Sequence, residues 1–400
     1  MRTLDEHRAV ALALAAPLGA VETPLADALG LVLAEDVRTD EPLPRWDNSA
    51  MDGYAVRRAD VLSVPVVLPV VVDLPAGSAD EAVVAQGTAA RIMTGAPIPA
   101  GADAVVPVEE TDGGTTHVQI RVTPVPAAHV RRAGEDAVPG DLVLVAGAEL
   151  RPPHLAALAS TGRATALVHR RPRIAVVSTG DELVAPGTPV RRGQLPDSNS
   201  WLLAAAVTDA GATALRLGPV ADDPAALLAL LLELDADESV DGIVTSGGVS
   251  MGAFDVVKAA LLAQPGVEFV PVAVQPGKPQ GLGRLPAGTP IWTLPGNPVS
   301  SFASFELFVR PAVRRMLGFA SVERPAVAAV ADEGWRTPPG RAQLMPVRFV
   351  RDDRVAPATA RGSGSHLVAR LAQAQGLAVV PAEVDEVLVG DTLHVLKVVP

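Results

Sequence analysis

The sequence predicts a multidomain α/β protein: a central, mostly parallel α/β sheet domain, with helical and β-rich N-terminal domains and a small C-terminal β-rich domain. Three observations carry that expectation. At 400 residues the chain is too long for one ordinary core. Between about 173 and 318, β-branched runs alternate with helical runs, the pattern of a parallel sheet covered on both faces. On either side, short valine-rich runs punctuated by Pro and Gly take over.

Taken in order, residues 4–16 (LDEHRAVALALAA) and roughly 25–34 read as short amphipathic helices, with a turn at Pro17–Gly19. From about 60 to 125, the runs VPVVLPVVV, EAVVAQ, DAVVPVEE and HVQIRV read as strands of a compact unit. PGDLVLVAGAEL (139–150) is a further strand with a turn, and PHLAALASTG (153–162) a helix ending at Gly162. RIAVVSTG (173–180) leads into the helix SNSWLLAAAVTDAG, with Gly211 placed to end it. ALRLGPV leads into DPAALLALLLEL, where Pro224 suits a first helical turn, and GIVTSGG leads into MGAFDVVKAALLA. FVPVAVQ and TPIWTLPG read as two more strands before the long helix NPVSSFASFELFVRPAVRRML. The tail returns to short strands and one helix, HLVARLAQAQ. The expected domains are 1–44 with 142–172, an inserted β-rich unit at 45–141, the α/β domain at 173–318, and 319–400.

Composition excludes several classes. With no cysteine there are no disulfides, thiolate metal sites or Cys nucleophiles, which fits a cytoplasmic protein. The seven histidines are scattered, none at i, i+4 to another, so a His-based zinc site is not expected. The start, MRTLDEHRAV, lacks a basic segment followed by an apolar core, and no apolar run approaches the roughly 20 residues of a spanning helix. A soluble chain with no membrane association is therefore expected. A net charge of −12 argues against a basic nucleic-acid-binding face, so an anionic ligand must be held by local donors.

In an open α/β sheet, ligands bind beyond the carboxyl ends of the strands. Those ends read STGDEL (178–183), TSGGVSMG (245–252) and LPGNPVSS (294–301). Each alone is an ordinary turn; three on one edge suggest a phosphate-bearing ligand, with backbone N–H groups and helix N-termini as donors. Neither GxGxxG nor GxxxxGK[ST] occurs, so this is not a dinucleotide fingerprint or a P-loop. The same edge carries Asp181, Glu182, Asp197, Asp222 and Asp255, which would repel a phosphate unless Mg²⁺ lies between. Asp197 and Asp222 also sit where helix caps are common. QPGKPQG (275–281) holds Lys278, one of only three lysines, in a rigid loop suited to an oxyanion. In the first half, LPRWDNSAMDGYAVR (43–57) concentrates short polar groups beside Trp46 and Tyr54, Thr94–Gly95 ends a strand, and VRRAGEDAVPGD (130–141) sets Arg131 and Arg132 beside Glu135 and Asp136.

Eight blocks, DNSAMDGYAV, RIMTGAPIPAGADAVV, VRRAGEDAVPGD, VVSTGDEL, DSNS, SGGVSMGAFD, PGKPQG and LPGNPVSS, occur in the order found in the molybdopterin molybdenumtransferase (MoeA) family, which includes the E domain of gephyrin. The resemblance runs over residues 1–400. It implies an enzyme of molybdenum-cofactor biosynthesis that takes adenylyl-molybdopterin and molybdate, inserts molybdenum with Mg²⁺ present, and releases AMP. It also implies a homodimer, with 1–44 and 142–172 as the dimerising part and the DNSAMDGYAV region completing the partner's cleft. A molybdopterin adenylyltransferase, which makes the adenylylated substrate, is a further implied partner. By motif, Asp52, Thr94, Asp136 and Glu182 resemble the family's reacting region, and Asp222 and Asp255 its α/β side. Ser246, Gly247, Gly248, Ser250 and Lys278 resemble the pterin-phosphate grip, Pro295, Gly296, Asn297 and Pro298 the loop beside it, and Ser365 a tail-domain site residue. Asp181, Glu182 and Asp255 are the expected Mg²⁺ ligands.

One departure stands out. Family members carry basic residues just before PGKP, whereas this chain has Pro271 and Gln275, so oxyanion binding falls to Lys278, to an arginine such as Arg341, or to main-chain donors. Two other readings compete. A molybdopterin adenylyltransferase needs only something like 173–318 and would leave the first-half blocks without a role. A non-catalytic scaffold would have no need of Asp52, Asp136 and Glu182.

Overall fold

A computed structural model of the chain describes residues 1–79, 81–249, 255–358 and 366–398. The chain divides into two compact units, one of residues 35–146 and 151–166, the other of 1–34, 147–150 and 167–400.

The smaller unit is built on a five-stranded sheet in the spatial order Ala104–Pro107, Gly53–Val56, Ala89–Ile92, Val66–Leu74, His117–Ile120. Both faces of the central strands are covered. Tyr54 and Val56 pack with Leu68, Val106 and Ile120, while Ala55 packs with Leu74, Ile92 and Val105. Tyr54 is fully buried, and its hydroxyl donates to Gly114 O at 2.9 Å, which satisfies the one polar atom on that ring. Gly53 is required by close approach: a Cβ there would lie 2.1 Å from Val106 O.

The larger unit holds the α/β domain. Its elements in chain order are β1 (Arg173–Thr179), α1 (Asn199–Asp209), β2 (Thr213–Val220), α2 (Pro224–Ala236), β3 (Gly242–Ser246), α3 (Val256–Leu261), β4 (Val267–Pro271), β5 (Pro279–Arg284) and β6 (Pro290–Leu294). The sheet order is β2-β1-β3-β6-β5-β4, with β2, β1, β3 and β6 parallel and the β5 and β4 pairings antiparallel. Side chains alternate between two buried layers. Ile174, Val176, Val244 and Trp292 face one core with Phe305 and Phe308; Ala175, Val177, Ile243 and Ile291 face the other with Leu227, Leu231 and Leu261. Helix α2 starts as its sequence suggests, with Asp223 accepting from Ala225 N and Ala226 N ahead of Pro224. Gly211 has φ +102° just past α1.

A long helix follows in three segments, Pro298–Ser304, a π turn at Phe305–Val309, and Arg310–Met316. Pro311 has no N–H to give Leu307, and the wider turn ahead of it absorbs the missing bond. The tail is a closed ring of five strands. Ala342–Arg351 pairs with Arg354–Pro357 and Gly376–Val380, and Ala326–Ala331 and Thr392–Lys397 complete the circuit. Closure pairs each of the five strands on both sides and encloses Met345, Val347, Val355 and Val395.

Four expectations need correction. Where the sequence predicts a helix over 25–34, only one 3₁₀ turn forms, Leu25–Asp27; Gly30 has φ +76°, and the adjacent buried Val32 and Leu33 bridge to Glu149 and Val168 as extended chain. FVPVAVQ is two strands, β4 and Val274–Gln275, and the second joins the tail sheet beside Ala342 and Gln343. Strand β5, PQGLGR, takes in the end of QPGKPQG (275–281), expected as a loop; glycines at 281 and 283 hide the alternation, because a Cβ there would run into Phe269 and the main chain of Gly266. The tail helix is only Val368–Leu371. Among the described residues no helix is long and apolar enough to cross a membrane.

Candidate active site

The loops leaving β1, β3 and β6 at their carboxyl ends, together with the start of α1, line a cleft of about 1020 Å³. That is near the upper end of the range for a drug-sized ligand. Glycines permit the approach of its walls. Gly247 has φ +103°, and a Cβ there would lie 2.8 Å from Thr179 O. Gly248 has φ +62°, and Gly296 passes so close that its Cβ would sit 3.4 Å from Gly247 Cα. Asn199 staples the loops: its Nδ2 donates to Ser246 Oγ at 2.8 Å and to Gly296 O at 2.6 Å. Ser246 Oγ in turn lies 3.2 Å from Ser301 Oγ, which donates to Pro295 O. Asn199 Oδ1 and Thr179 Oγ1 are buried there without partners.

The cleft carries four carboxylates, Glu182, Asp197, Asp222 and Asp255, and no lysine or arginine among its described lining residues. Their states differ. Asp197 is buried and saturated: Oδ2 accepts from Ser178 Oγ at 2.7 Å and from Ser200 Oγ at 2.6 Å, and Oδ1 from Ser200 N at 3.0 Å. It caps the start of α1, as its position suggests. Asp222 is not a cap; that role is Asp223's. Asp222 N donates to Asp181 Oδ1 at 3.0 Å, and Asp181 N to Asp222 Oδ2 at 3.4 Å, so Asp181 is tied beside the cleft and is not part of its lining. Glu182 folds its carboxylate back into the space a side chain at Gly180 would fill, within 2.6 Å of that ideal Cβ. Asp255 precedes α3 without capping it, and its Oδ2 is buried with no partner among the described residues.

A buried carboxylate oxygen without a donor fits a cation, and Mg²⁺ binds through one or two carboxylates plus ligand phosphate oxygens. Asp255 has such an oxygen among the described residues, and Glu182 lines the same cleft. The three carboxylates expected to share the metal do not form a set: among the described residues no group of three or more His, Asp or Glu is arranged to hold an ion.

The remaining site candidates are divided between this cleft and other parts of the molecule. Pro295, Gly296, Asn297 and Pro298 line the cleft with Ser246, Gly247 and Gly248. Lys278 lines a second, smaller cleft of about 370 Å³ that shares Val249 and Pro279 with the first. Ser250 and Ser365 lie outside the described residues. In the smaller unit, Asp52 Oδ1 accepts from both Thr94 N and Thr94 Oγ1 at 2.7 Å, and these bonds, the backbone one first, hold its carboxyl below the usual carboxylate range. Asp47 accepts from Ala133 N at 2.8 Å and pairs with Arg132, which lowers it in the same way. Asp47 O also receives Ile98 N at 2.9 Å, and Ser49 O receives Gly95 N at 2.8 Å. The polar cluster at 47–52 is therefore a knot that fixes the loops of Thr94 and of Asp136. Asp136 itself is exposed, its N–H donating to Leu43 O at 2.9 Å.

Sequence reasoning missed Asn199, Thr179 and His366 as lining residues, and Lys258 in the smaller cleft. Asn199 sits inside the DSNS block and His366 next to Ser365, so proximity to a motif was the available signal.

Comparison with known proteins covers nearly the whole chain. Residues 2–162 match the MoeA N-terminal region (domain I and II), 175–315 the probable molybdopterin binding domain, and 328–398 the MoeA C-terminal region (domain IV). Molybdopterin molybdenumtransferase 2 of Mycobacterium tuberculosis is 46% identical over 406 residues, covering 99% of both chains. Molybdopterin molybdenumtransferase 1 of the same organism is 36% identical over 422 residues, covering 99% of this chain and 98% of its own. The crystal structure of a molybdopterin biosynthesis MoeA protein from Pyrococcus horikoshii superposes with a TM-score of 0.84 at 30% identity, over 99% of this chain and 98% of that one. With relatives this similar along its full length, the chain belongs to the MoeA family of molybdopterin molybdenumtransferases.

Proposed function

We propose that this chain catalyses molybdenum insertion in molybdenum-cofactor biosynthesis, taking adenylyl-molybdopterin and molybdate and releasing AMP with Mg²⁺ bound. The observation that carries the reading is the cleft at the carboxyl edge of the sheet, where a glycine-rich phosphate-type wall faces carboxylates, Asp255 with a buried oxygen that has no partner among the described residues. Cleaving the adenylyl–pterin phosphoanhydride builds charge on the leaving phosphate, and Mg²⁺ supplies the charge that offsets it. Glu182 and Asp255 would hold that ion. Gly247, Gly248, Ser246 and the 295–298 loop shape the phosphate-facing wall, with Asn199 holding the two loops in register. Asp52, ionised and fixed by Thr94, and the exposed Asp136 act in this reading from a second copy in a homodimer, with 1–44 and 142–172 as the dimerising part. Ser250 and Ser365 belong to the same proposed site by motif. Four domains, a cytoplasmic location and hand-over of substrate from a molybdopterin adenylyltransferase complete the proposal.

The test is AMP release from purified adenylyl-molybdopterin, with and without molybdate, for wild type and Glu182→Ala. Molybdate-stimulated release that drops at least about 100-fold in the variant is expected. Release by Glu182→Ala at the wild-type rate would remove the cleft from the reaction.

A further inference from the structure

The turn that leads into β5 is short of main-chain donors. Two of the four residues 276–279 are prolines, with no N–H to give. One side of the turn is held by the main chain, where Val272 N donates to Lys278 O at 2.7 Å. The other side is held by a side chain. Gln280 is 2% exposed, and its Nε2 donates to Gly277 O at 2.6 Å and to Ser304 Oγ at 2.7 Å. Glutamine is seldom buried so completely, and here both protons of the amide are used. The seat is close. Gly277 has φ +107°, and a Cβ there would lie 2.8 Å from Ser304 Oγ and 3.3 Å from Gln280 Nε2, so the turn reaches the helix only because residue 277 has no side chain.

Ser304 ends the helix segment Pro298–Ser304, which starts in the 295–298 loop of the larger cleft. One turn earlier on the same face, Ser301 Oγ donates to Pro295 O and lies 3.2 Å from Ser246 Oγ. Both serines are buried. A single helix face therefore anchors the wall of the larger cleft through Ser301 and the turn of Lys278 through Ser304 and Gln280. Lys278 is exposed at the end of that turn and lines the smaller cleft, which shares Val249 and Pro279 with the larger one.

We propose that Gln280 is a positioning residue: its amide seats the Pro276–Lys278 turn on the serine face of the helix and so fixes the base of the Lys278 side chain relative to the larger cleft. A lysine on a loose turn must be ordered when its anion binds, and that ordering is subtracted from affinity. The role rests on Lys278 binding an anionic substrate of the proposed reaction, and concerns what holds that lysine in place.

The experiment is equilibrium binding to the full chain of molybdate and of adenylyl-molybdopterin, each without the other, beside the thermal midpoint. Wild type, Lys278→Met, Gln280→Met and the double variant are compared; methionine keeps the length and bulk of glutamine and removes both donors. Gln280→Met should weaken, by at least about fivefold, whichever ligand Lys278→Met weakens, and leave the other within about twofold. In the Lys278→Met background the same substitution should change affinity by less than about twofold, because the brace acts through the lysine. Gly277→Ala keeps Gln280 but drives a Cβ against Ser304 Oγ, so it should weaken the same ligand, and it decides the matter if Gln280→Met does not fold. Full additivity with Lys278→Met, or a lowered midpoint with unchanged affinity in Gln280→Met or Gly277→Ala, would reduce Gln280 to a structural brace and overturn the proposal. Unchanged affinity for both ligands in Lys278→Met would overturn the reading of Lys278, and the role of Gln280 with it. The expected binding pattern in a protein that releases no AMP would overturn the reaction and leave the role of Gln280 standing.

Discussion

Carboxylates are used in opposite ways in the two units. In the smaller unit Asp47 and Asp52 are tethered: each accepts a backbone N–H and a side-chain donor, and these bonds hold each carboxyl below the usual range. In the α/β cleft the Glu182 carboxylate lies over Gly180, and Asp255 leaves a buried oxygen with no donor among the described residues. A carboxylate tethered in this way is a fixed anion. An unsaturated one is costly to bury unless a ligand or a cation satisfies it. The difference separates carboxylates already held by the protein from one with an oxygen left for a ligand, which their chemical identity does not.

The largest effect expected from this contrast is at Gly180. An alanine Cβ there needs the space of the Glu182 carboxylate, and φ of +150° adds backbone strain. Gly180→Ala should lower AMP release about as far as Glu182→Ala does, and the double variant should be no worse than either, because both remove one group. If Gly180→Ala keeps more than half of the wild-type rate, the position of the Glu182 carboxylate over Gly180 does not matter to the reaction.

The next comparison lies within the cleft. Asp197→Ala strips a partner from Ser178 and Ser200, both fully buried, and should cost about 3 kcal/mol, lowering the thermal midpoint by several degrees. Mg²⁺ affinity of the refolded variant should stay within about twofold of wild type. Asp255→Asn should do the reverse: an unchanged midpoint and Mg²⁺ binding weaker by about tenfold. Equal loss of stability in both variants would erase the distinction between the saturated and the open carboxylate.

How much of this was legible depended on whether a signal was local. The parallel part of the sheet could be read from apolar runs that each feed a helix, and α2 from Asp223 and Pro224 at its start. Strand β5 could not, because its glycines are demanded by Phe269 and the Gly266 main chain, neighbours that only the fold brings near. The 25–34 segment reads as a helix because its apolar spacing is ambiguous, and burial of Val32 beside Leu33 settles it as extended chain. In the site, motifs located the loops but not the state of each side chain. Asp181 and Glu182 are adjacent in GDEL, yet one is tied to Asp222 and the other lies over Gly180. Lys258 carried no motif signal of its own, and only the fold brings it to the same small cleft as Lys278.

The smallest effect tests the tethered side of the contrast. The Asp52 pKa is depressed, so the Asp52–Thr94 corner is fully formed above the ordinary carboxylate range and is lost only as pH falls through the lowered folded value. The backbone N–H of Thr94 is the larger cause and its hydroxyl the second. Thr94→Val removes the hydroxyl and keeps the N–H, so the Asp52 titration, followed by carboxylate carbon NMR, should move up only part of the way towards the ordinary value. The corner should then open at a slightly higher pH than in wild type. A shift all the way to the ordinary value would mean that the hydroxyl, not the backbone, sets the Asp52 charge. No shift would mean that the N–H alone suffices and that Thr94 serves the site through some contact other than Asp52.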